Sequence, residues 1–242
     1  MTLVTGGTRG IGAAIARRLA DAGHDLVLGY LSDGDAAEAT AEDVRGRGAN
    51  CTLVQADITT DGGIDELFAR APEGLTGVVN NAGATYRFAP LADWEPAMIR
   101  KVIDVNLTAA VLIARAAVWA LSPAHGGPGG VIVNISSGAA TLGSPGEYVH
   151  YAAAKAGMDT LTKGLGLEVA DQGMRVVGVA PGLVLTDIHA NSGDPERPAR
   201  MAPNLPMKRP ADPAEIAEAV AFLMSDAASY ITATTIRVAG GR

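Results

Sequence analysis

The sequence holds a single cysteine, Cys51, among 242 residues, so no internal disulfide can form. Its apolar neighbours make it a buried strand residue. Basic residues are in short supply: 19 Lys and Arg stand against 26 Asp and Glu, a net charge of −7. That excludes the basic footprint a nucleic acid or an anionic membrane would need, and neither partner is expected. Long apolar runs are missing as well. The longest, 111–121, is interrupted by Arg115 and is too short to span a bilayer. Gly6 and Gly7 come before any signal-like apolar region develops, and the cytoplasm is the expected address. The four histidines, His24, His125, His150 and His189, are dispersed, and there is no HExxH or paired-cysteine motif, so no metal is implied. A GxSxG elbow, which a Ser/His/Asp hydrolase would want, is absent too.

What the chain does have is a hydrophobic fraction of 48% and 30 glycines, the makings of a packed core with many tight turns. Strand-type runs at 2–5, 26–31, 51–55, 76–80, 131–135, 174–180 and 231–239 alternate with helical stretches at 13–22, 35–47, 63–71, 93–121, 150–169 and 213–225. The alternation predicts an α/β fold, a doubly wound parallel sheet, in a single domain over 1–242. In 93–121, Trp94, Met98, Val102 and Val105 recur at helical spacing as a core face. The segment 183–213 is punctuated by six prolines from Pro195 to Pro213 with little periodicity, which fits a lid over a site.

Gly6, Thr8, Arg9, Gly10, Ile11 and Gly12 lie between the first strand and the first helix. Glycines there let the backbone approach a pyrophosphate, and the helix N-terminus supplies free N–H donors. The tip of the second strand, around Tyr30, carries no acid, whereas Arg9 sits in the glycine turn. NADP(H) is therefore favoured, with NAD(H) possible. Asp33 reads as a turn or helix-cap aspartate. Asp57 and Ile58 end the third strand, where an adenine contact and a cap for the next helix are both compatible with the aspartate. Asn80, Asn81, Ala82 and Gly83 end the fourth strand beside the same crevice. Asn106, an amide among apolar residues, needs hydrogen-bond partners if buried; a structural role and a proton path are both open. Ser136 and Ser137 end the fifth strand. Tyr151 and Lys155 are one helical turn apart, and an ammonium beside a phenol lowers the phenol pKa toward a working general acid/base.

In combination these motifs resemble the short-chain dehydrogenase/reductase family over essentially the whole chain. The stretch 5–12, TGGTRGIG, is similar to the family's TGxxxGIG turn, 80–83 to its NNAG, and Pro181-Gly182 to its PG motif. Asn106, Ser137, Tyr151 and Lys155 line up with its catalytic tetrad. The resemblance implies a Rossmann fold with Tyr151 as proton donor or acceptor, Ser137 hydrogen-bonding the substrate oxygen, and Lys155 on the nicotinamide ribose. It further implies a water held by Asn106, Asp57 at the adenine, and Pro181, Gly182 and Thr186 at the nicotinamide. Tyr148 meets Ala152, not a lysine, four residues on, which leaves Tyr151 as the acid. One extra residue separates serine and tyrosine; placing it in the loop selects Ser137, with Ser136 the alternate. A homo-oligomer, tetramer or dimer, built through 93–121 and the tyrosine helix is implied as well.

The expected activity is an NADP(H)-dependent oxidoreductase moving a hydride between a nicotinamide and a carbonyl or secondary alcohol of a small molecule. The general pattern is nearest to 3-oxoacyl-acyl-carrier-protein reductases, the alternative assignment, with glucose-dehydrogenase-like enzymes close behind. Where those carrier-protein reductases place basic docking residues, this chain has 126–130, GGPGG, and Asp171-Gln172-Gly173, so electrostatic steering would be lost. A non-catalytic dinucleotide-binding regulator belongs to a different class and has no need of Ser137, Tyr151 and Lys155 together. Ala233 and Ala239 stand where the family usually has glycine and aspartate. The enlarged loop 143–147 hints at a different substrate.

Overall fold

Strands that read as unbroken apolar runs belong in a sheet covered on both faces. The computed structural model, which describes residues 1–71 and 74–242, places them there. The elements in order are β1 (Thr2–Thr5), α1 (Gly10–Asp21), β2 (Leu26–Tyr30), α2 (Gly34–Gly46), β3 (Cys51–Gln55), α3 (Asp61–Ala69) and β4 (Gly77–Asn80). There follow α4 (Pro96–Ile103), α5 (Ala109–Leu121), β5 (Gly130–Ile135), α6 (Ala139–Leu142), α7 (Val149–Glu168) and β6 (Met174–Pro181). The last are α8 (Ile188–Asn191), α9 (Arg197–Met201), α10 (Pro213–Met224) and β7 (Thr234–Val238). The strands form one seven-stranded sheet in the order β3-β2-β1-β4-β5-β6-β7, all neighbours parallel. This is the doubly wound Rossmann architecture, with the order reversing at β1 and β4, where α/β sheets open a ligand crevice.

Side chains alternate across each strand and feed two cores. Val4, Leu28, Val79, Val133 and Val177 pack with Ile15 and Leu19 of α1 and with Ile216 and Val220 of α10. Leu3, Val27, Val78, Ile132 and Val176 pack on the other face with Leu67 of α3 and with Ile113, Ala117 and Leu121 of α5. The stretch Pro96–Leu121 is long and apolar enough to cross a membrane by length and composition, and in the fold its α5 half is a core helix.

Several boundaries differ from the sequence expectation. α1 begins at Gly10, not residue 13, because the glycine turn itself winds into the first helical turn. The helical region 93–121, expected as two helices run together, starts only at Pro96 and divides into α4 and α5 at Asp104–Thr108 through one turn of wider, π-type hydrogen bonding. Trp94 and Val102 face the core as expected, whereas Met98 and Val105 are only partly buried. β7 is shorter than 231–239, and Ala233 just before it adopts a positive φ of 55°. α10 starts at Pro213 as expected, and its first turn is capped reciprocally: Asp212 accepts from Ala214 N at 2.8 Å and Glu215 accepts from Asp212 N at 2.8 Å.

Candidate active site

The carboxyl ends of the strands open into a cleft of about 1100 Å³. At one end the glycine turn is forced by contact. Gly6 and Gly10 have φ of 59° and 51°, and a Cβ on Gly12 would lie 2.0 Å from the Gly6 carbonyl oxygen. The N-terminus of α1 has no side-chain cap and no acid in its first turn, so its amides and dipole are left for an anion. This cradle fits the pyrophosphate of a dinucleotide. Thr8, Arg9, Ile11, Tyr30, Asp57 and Ile58 line the same end of the cleft. Arg9 Nη1 lies 3.5 Å from Asp33 Oδ2, and Asp33 also caps α2 by accepting from Ala36 N. Asp57 accepts from Thr59 Oγ1 at 2.7 Å and Thr59 N at 2.9 Å, bonds that hold its carboxyl below the usual range. The cap of α3 is Thr60, not Asp57.

The NNAG turn is corrected in one respect. Asn80, expected at the cofactor, is buried behind the cleft, donating to Ala110 O at 2.9 Å and Asn134 Oδ1 at 3.3 Å. It shares the strand face of Val78, which looks toward α5. Asn81 is the residue at the cleft, and its Nδ2 donates to the carbonyls of Thr5 and Gly6, both at 3.0 Å. Thr5 Oγ1 in turn accepts from the amides of Asn81 and Ala82. Ala82, Gly83, Pro181, Gly182 and Thr186 line the cleft as expected.

The two serines that follow β5 line the cleft and are held differently. Ser136 is buried and donates to the Lys155 carbonyl at 3.2 Å, whereas Ser137 sits beside the Tyr151 phenol and accepts from Ala139 N at 3.1 Å. Ser137 is thus the serine that reaches the tyrosine. Lys155 is 3% exposed; its Nζ donates to Ile135 O at 2.9 Å and lies 5.7 Å from the Tyr151 ring centre. Burial pushes the Lys155 ammonium down to about 8, only partly opposed by Asp159. The lowering of the Tyr151 phenol expected from Lys155 is not found. Burial and then Tyr148 push that phenol up, and Ser137 is the group that opposes them.

Asn106 sits in the π-type turn, fully buried, and does not line the cleft. It donates to Ala84 O at 2.7 Å and Val102 O at 2.9 Å, and accepts from Ala84 N. Its side chain is a satisfied amide that pins the segment after Gly83. A Cβ on Gly83 would lie 2.6 Å from Asn106 Oδ1 and 3.4 Å from Lys155 Nζ, so glycine is required where the two approach.

Away from the glycine turn the cleft is bordered by groups whose placement sequence reasoning missed. Thr85 and Ser192 share a hydrogen bond of 2.7 Å, and His189 is buried with Nε2 2.9 Å from Val184 O. Arg197, at the start of α9, donates to Glu147 Oε2 at 2.6 Å and to the Tyr148 hydroxyl at 3.3 Å, with its guanidinium 4.8 Å from the Phe88 ring centre. Tyr148 packs edge-on against Tyr151 at 5.2 Å. The segment 183–213, expected as a lid, therefore contains α8, α9 and buried side chains, and is tied to the loop 143–147 through Glu147. Its prolines concealed the short helices, and no local pattern marks a pair fifty residues apart.

A family described as enoyl-(acyl carrier protein) reductase matches residues 6–242. The chain is 42% identical to the uncharacterised oxidoreductase YgfF of Escherichia coli, covering 100% of this chain and 99% of that one. It is 33% identical to a 3-oxoacyl-(acyl-carrier-protein) reductase of Staphylococcus epidermidis, covering 99% and 97%. The crystal structure of acetoin dehydrogenase YohF from Salmonella typhimurium superposes with a TM-score of 0.87 at 31% identity, covering 100% and 95%. Matches of that length and identity, on a Rossmann sheet whose glycine cradle and Ser137, Tyr151 and Lys155 share one cleft, establish that the chain belongs to the short-chain dehydrogenase/reductase family of oxidoreductases.

Proposed function

We propose that the protein is an NADP(H)-dependent carbonyl reductase, or alcohol dehydrogenase in reverse, acting on a small molecule. The observation that carries this is the convergence of Ser137, Tyr151 and Lys155 with the glycine cradle in one cleft. Bound nicotinamide supplies or accepts the hydride. Gly6, Thr8, Gly10, Ile11 and Gly12 would hold its pyrophosphate, Asp57 and Ile58 its adenine, and Lys155 and Thr186 the nicotinamide end. Tyr151 gives a proton to the carbonyl oxygen, or takes it from the alcohol, and Ser137 hydrogen-bonds that oxygen. Asn106 acts behind Lys155, fixing the backbone past Gly83 that borders a proton route. General acid–base catalysis of this kind contributes about 10²–10⁴-fold. The assay is NADPH oxidation against ketones, β-ketoesters and quinones; Tyr151→Phe is expected to lose about 10²-fold or more of kcat, and unchanged turnover would overturn the assignment.

Arg9 supports the choice of NADP(H), because Asp33 is committed to capping α2 and to Arg9 itself. Arg9→Ala is expected to weaken NADPH binding about tenfold while leaving NADH little changed. An unchanged NADPH Kd would remove the 2′-phosphate role. The exposed Val111 and Trp119 of α5 and Leu167 of α7 suit a homo-oligomer through these helices. The cytoplasm, where a lone thiol stays reduced, is the proposed compartment.

A further inference from the structure

We propose that Phe88 and Tyr148 select the substrate by packing against a ring, alicyclic or aromatic, that an uncharged ketone carries beside its carbonyl, or that the alcohol carries in the reverse direction. This rests on the reductase reading above and adds a substrate class to it. Only 4% of the chain is aromatic, yet Phe88 and Tyr148 both line the cleft together with Tyr151. Contact fixes where they stand relative to Tyr151. The Tyr148 ring meets the Tyr151 ring edge-on at 5.2 Å between centres, and the Phe88 ring lies 5.2 Å from Tyr148 at a tilt of 43°. Phe88 and Tyr148 are both only partly buried, so ring surface stays open. A substituent on a carbonyl that bonds the Tyr151 hydroxyl therefore has the Tyr148 ring as a neighbour and Phe88 beyond it.

The two rings are set before any substrate arrives. Ala89 N donates to Glu147 O at 2.8 Å, a backbone bond between the residue after Phe88 and the residue before Tyr148. Arg197 spans the pair: its guanidinium lies 4.8 Å from the Phe88 ring centre and 5.8 Å from that of Tyr148, within cation–π range of both. Glu147 answers the Arg197 charge at 2.6 Å, and the same arginine engages the Tyr148 hydroxyl, so this wall offers a substrate rings and no free charge. Leu142 and Ile188 add apolar surface to the same cleft. A rigid ring loses little freedom on binding and packs against aromatic neighbours in favourable geometry, whereas an open alkyl chain must first be ordered. Sequence reading passed over the pair because Phe88 lies in an aperiodic stretch, 84–90, far along the chain from Tyr148.

The test compares cyclohexyl methyl ketone with 2-octanone, the open-chain ketone of equal carbon count, and 4-acetylbenzoate with its methyl ester. The ratio of kcat/KM for ring over chain is measured with NADPH for the wild type, Phe88→Leu, Tyr148→Leu and Tyr148→Phe, so that intrinsic reactivity cancels between variant and wild type. Acetophenone binding to the NADP⁺-loaded protein is measured by calorimetry, where no hydride is available for turnover. The ring-over-chain ratio is expected to fall about fivefold in each leucine variant and to survive in Tyr148→Phe, which keeps the ring. Acetophenone binding should weaken in the leucine variants alone, and the wild type should prefer the ester to the acid. The proposal is overturned if the ratio holds in either leucine variant, including the case in which ring and chain lose turnover together, which assigns that residue to structure. It is equally overturned if Tyr148→Phe loses the ratio, which would assign the effect to the hydroxyl, or if the acid is preferred to the ester. Failure of the reductase reading would look different: no ketone reduced by the wild type, with acetophenone binding still weakened by Phe88→Leu and Tyr148→Leu. Binding indifferent to both would overturn the ring contact as well.

Discussion

Lys155 beside Tyr151 and Arg197 at the start of α9 are both nearly sealed from water, at 3% and 5% exposure, yet they are held in opposite ways. Burial opposes the charge of Arg197, but the Glu147 carboxylate and the Tyr148 hydroxyl more than offset it, and its pKa is raised. Lys155 has one carbonyl and a sulfur atom within reach and is pushed down to about 8. The arginine is thus given a counter-charge, as a buried ion must be if it is to hold two segments together. Among the described residues the lysine has no carboxylate within ion-pair distance, Asp159 acting on it only from farther off, the arrangement expected of a group whose charge serves chemistry.

The hardest test of this contrast is Lys155→Met. Turnover is expected to fall about 10²-fold or more, while the Tm of the cofactor-free protein rises. The reason is that an ammonium held at a pKa of about 8 costs on the order of 3 kcal/mol to bury. A lower Tm would show that Lys155 stabilises the fold and would end the comparison. Glu147→Ala should act the other way, leaving the Arg197 guanidinium buried and unpaired. With the Glu147 side chain 35% exposed, the loss is discounted to about 2 kcal/mol. It would be read as a lower urea midpoint and largely restored by adding Arg197→Met; no restoration would mean that the pair is not the cause. The smallest effect is in pH. The folded-state pKa of Lys155 lies below its unfolded value, so the unfolded chain binds more protons between them and stability rises with pH in that window. From pH 8 to 9 the gain is about 1 kcal/mol relative to Lys155→Met, and parallel pH profiles for the two proteins would contradict it.

The elements that were legible in the sequence are those whose signals are local. The glycine turn and the Tyr151–Lys155 spacing each fit within a dozen residues, and each strand or helix of the alternation carries its own short pattern. Asn80 was misplaced because a motif read as a unit hides the alternation of a strand; adjacent residues face opposite ways, and only Asn81 turns to the crevice. The π-type turn around Asn106 leaves no compositional trace. Glu147 with Arg197, and Thr141 with Arg237, are meetings across 50 and 96 residues that only the folded chain brings about.

The link between Thr5 and the Asn81 turn carries a consequence for how the molecule assembles. These groups are 76 residues apart, and β1 lies inside the sheet with β4, the central strand, as a neighbour. The phosphate cradle therefore cannot take its final shape on a nascent chain until β4 has been synthesised and has docked. Such long-range parallel pairing is slow to form. Recovery of dinucleotide binding during refolding should accordingly lag behind the helical signal, and would date the moment at which the two halves of the sheet join.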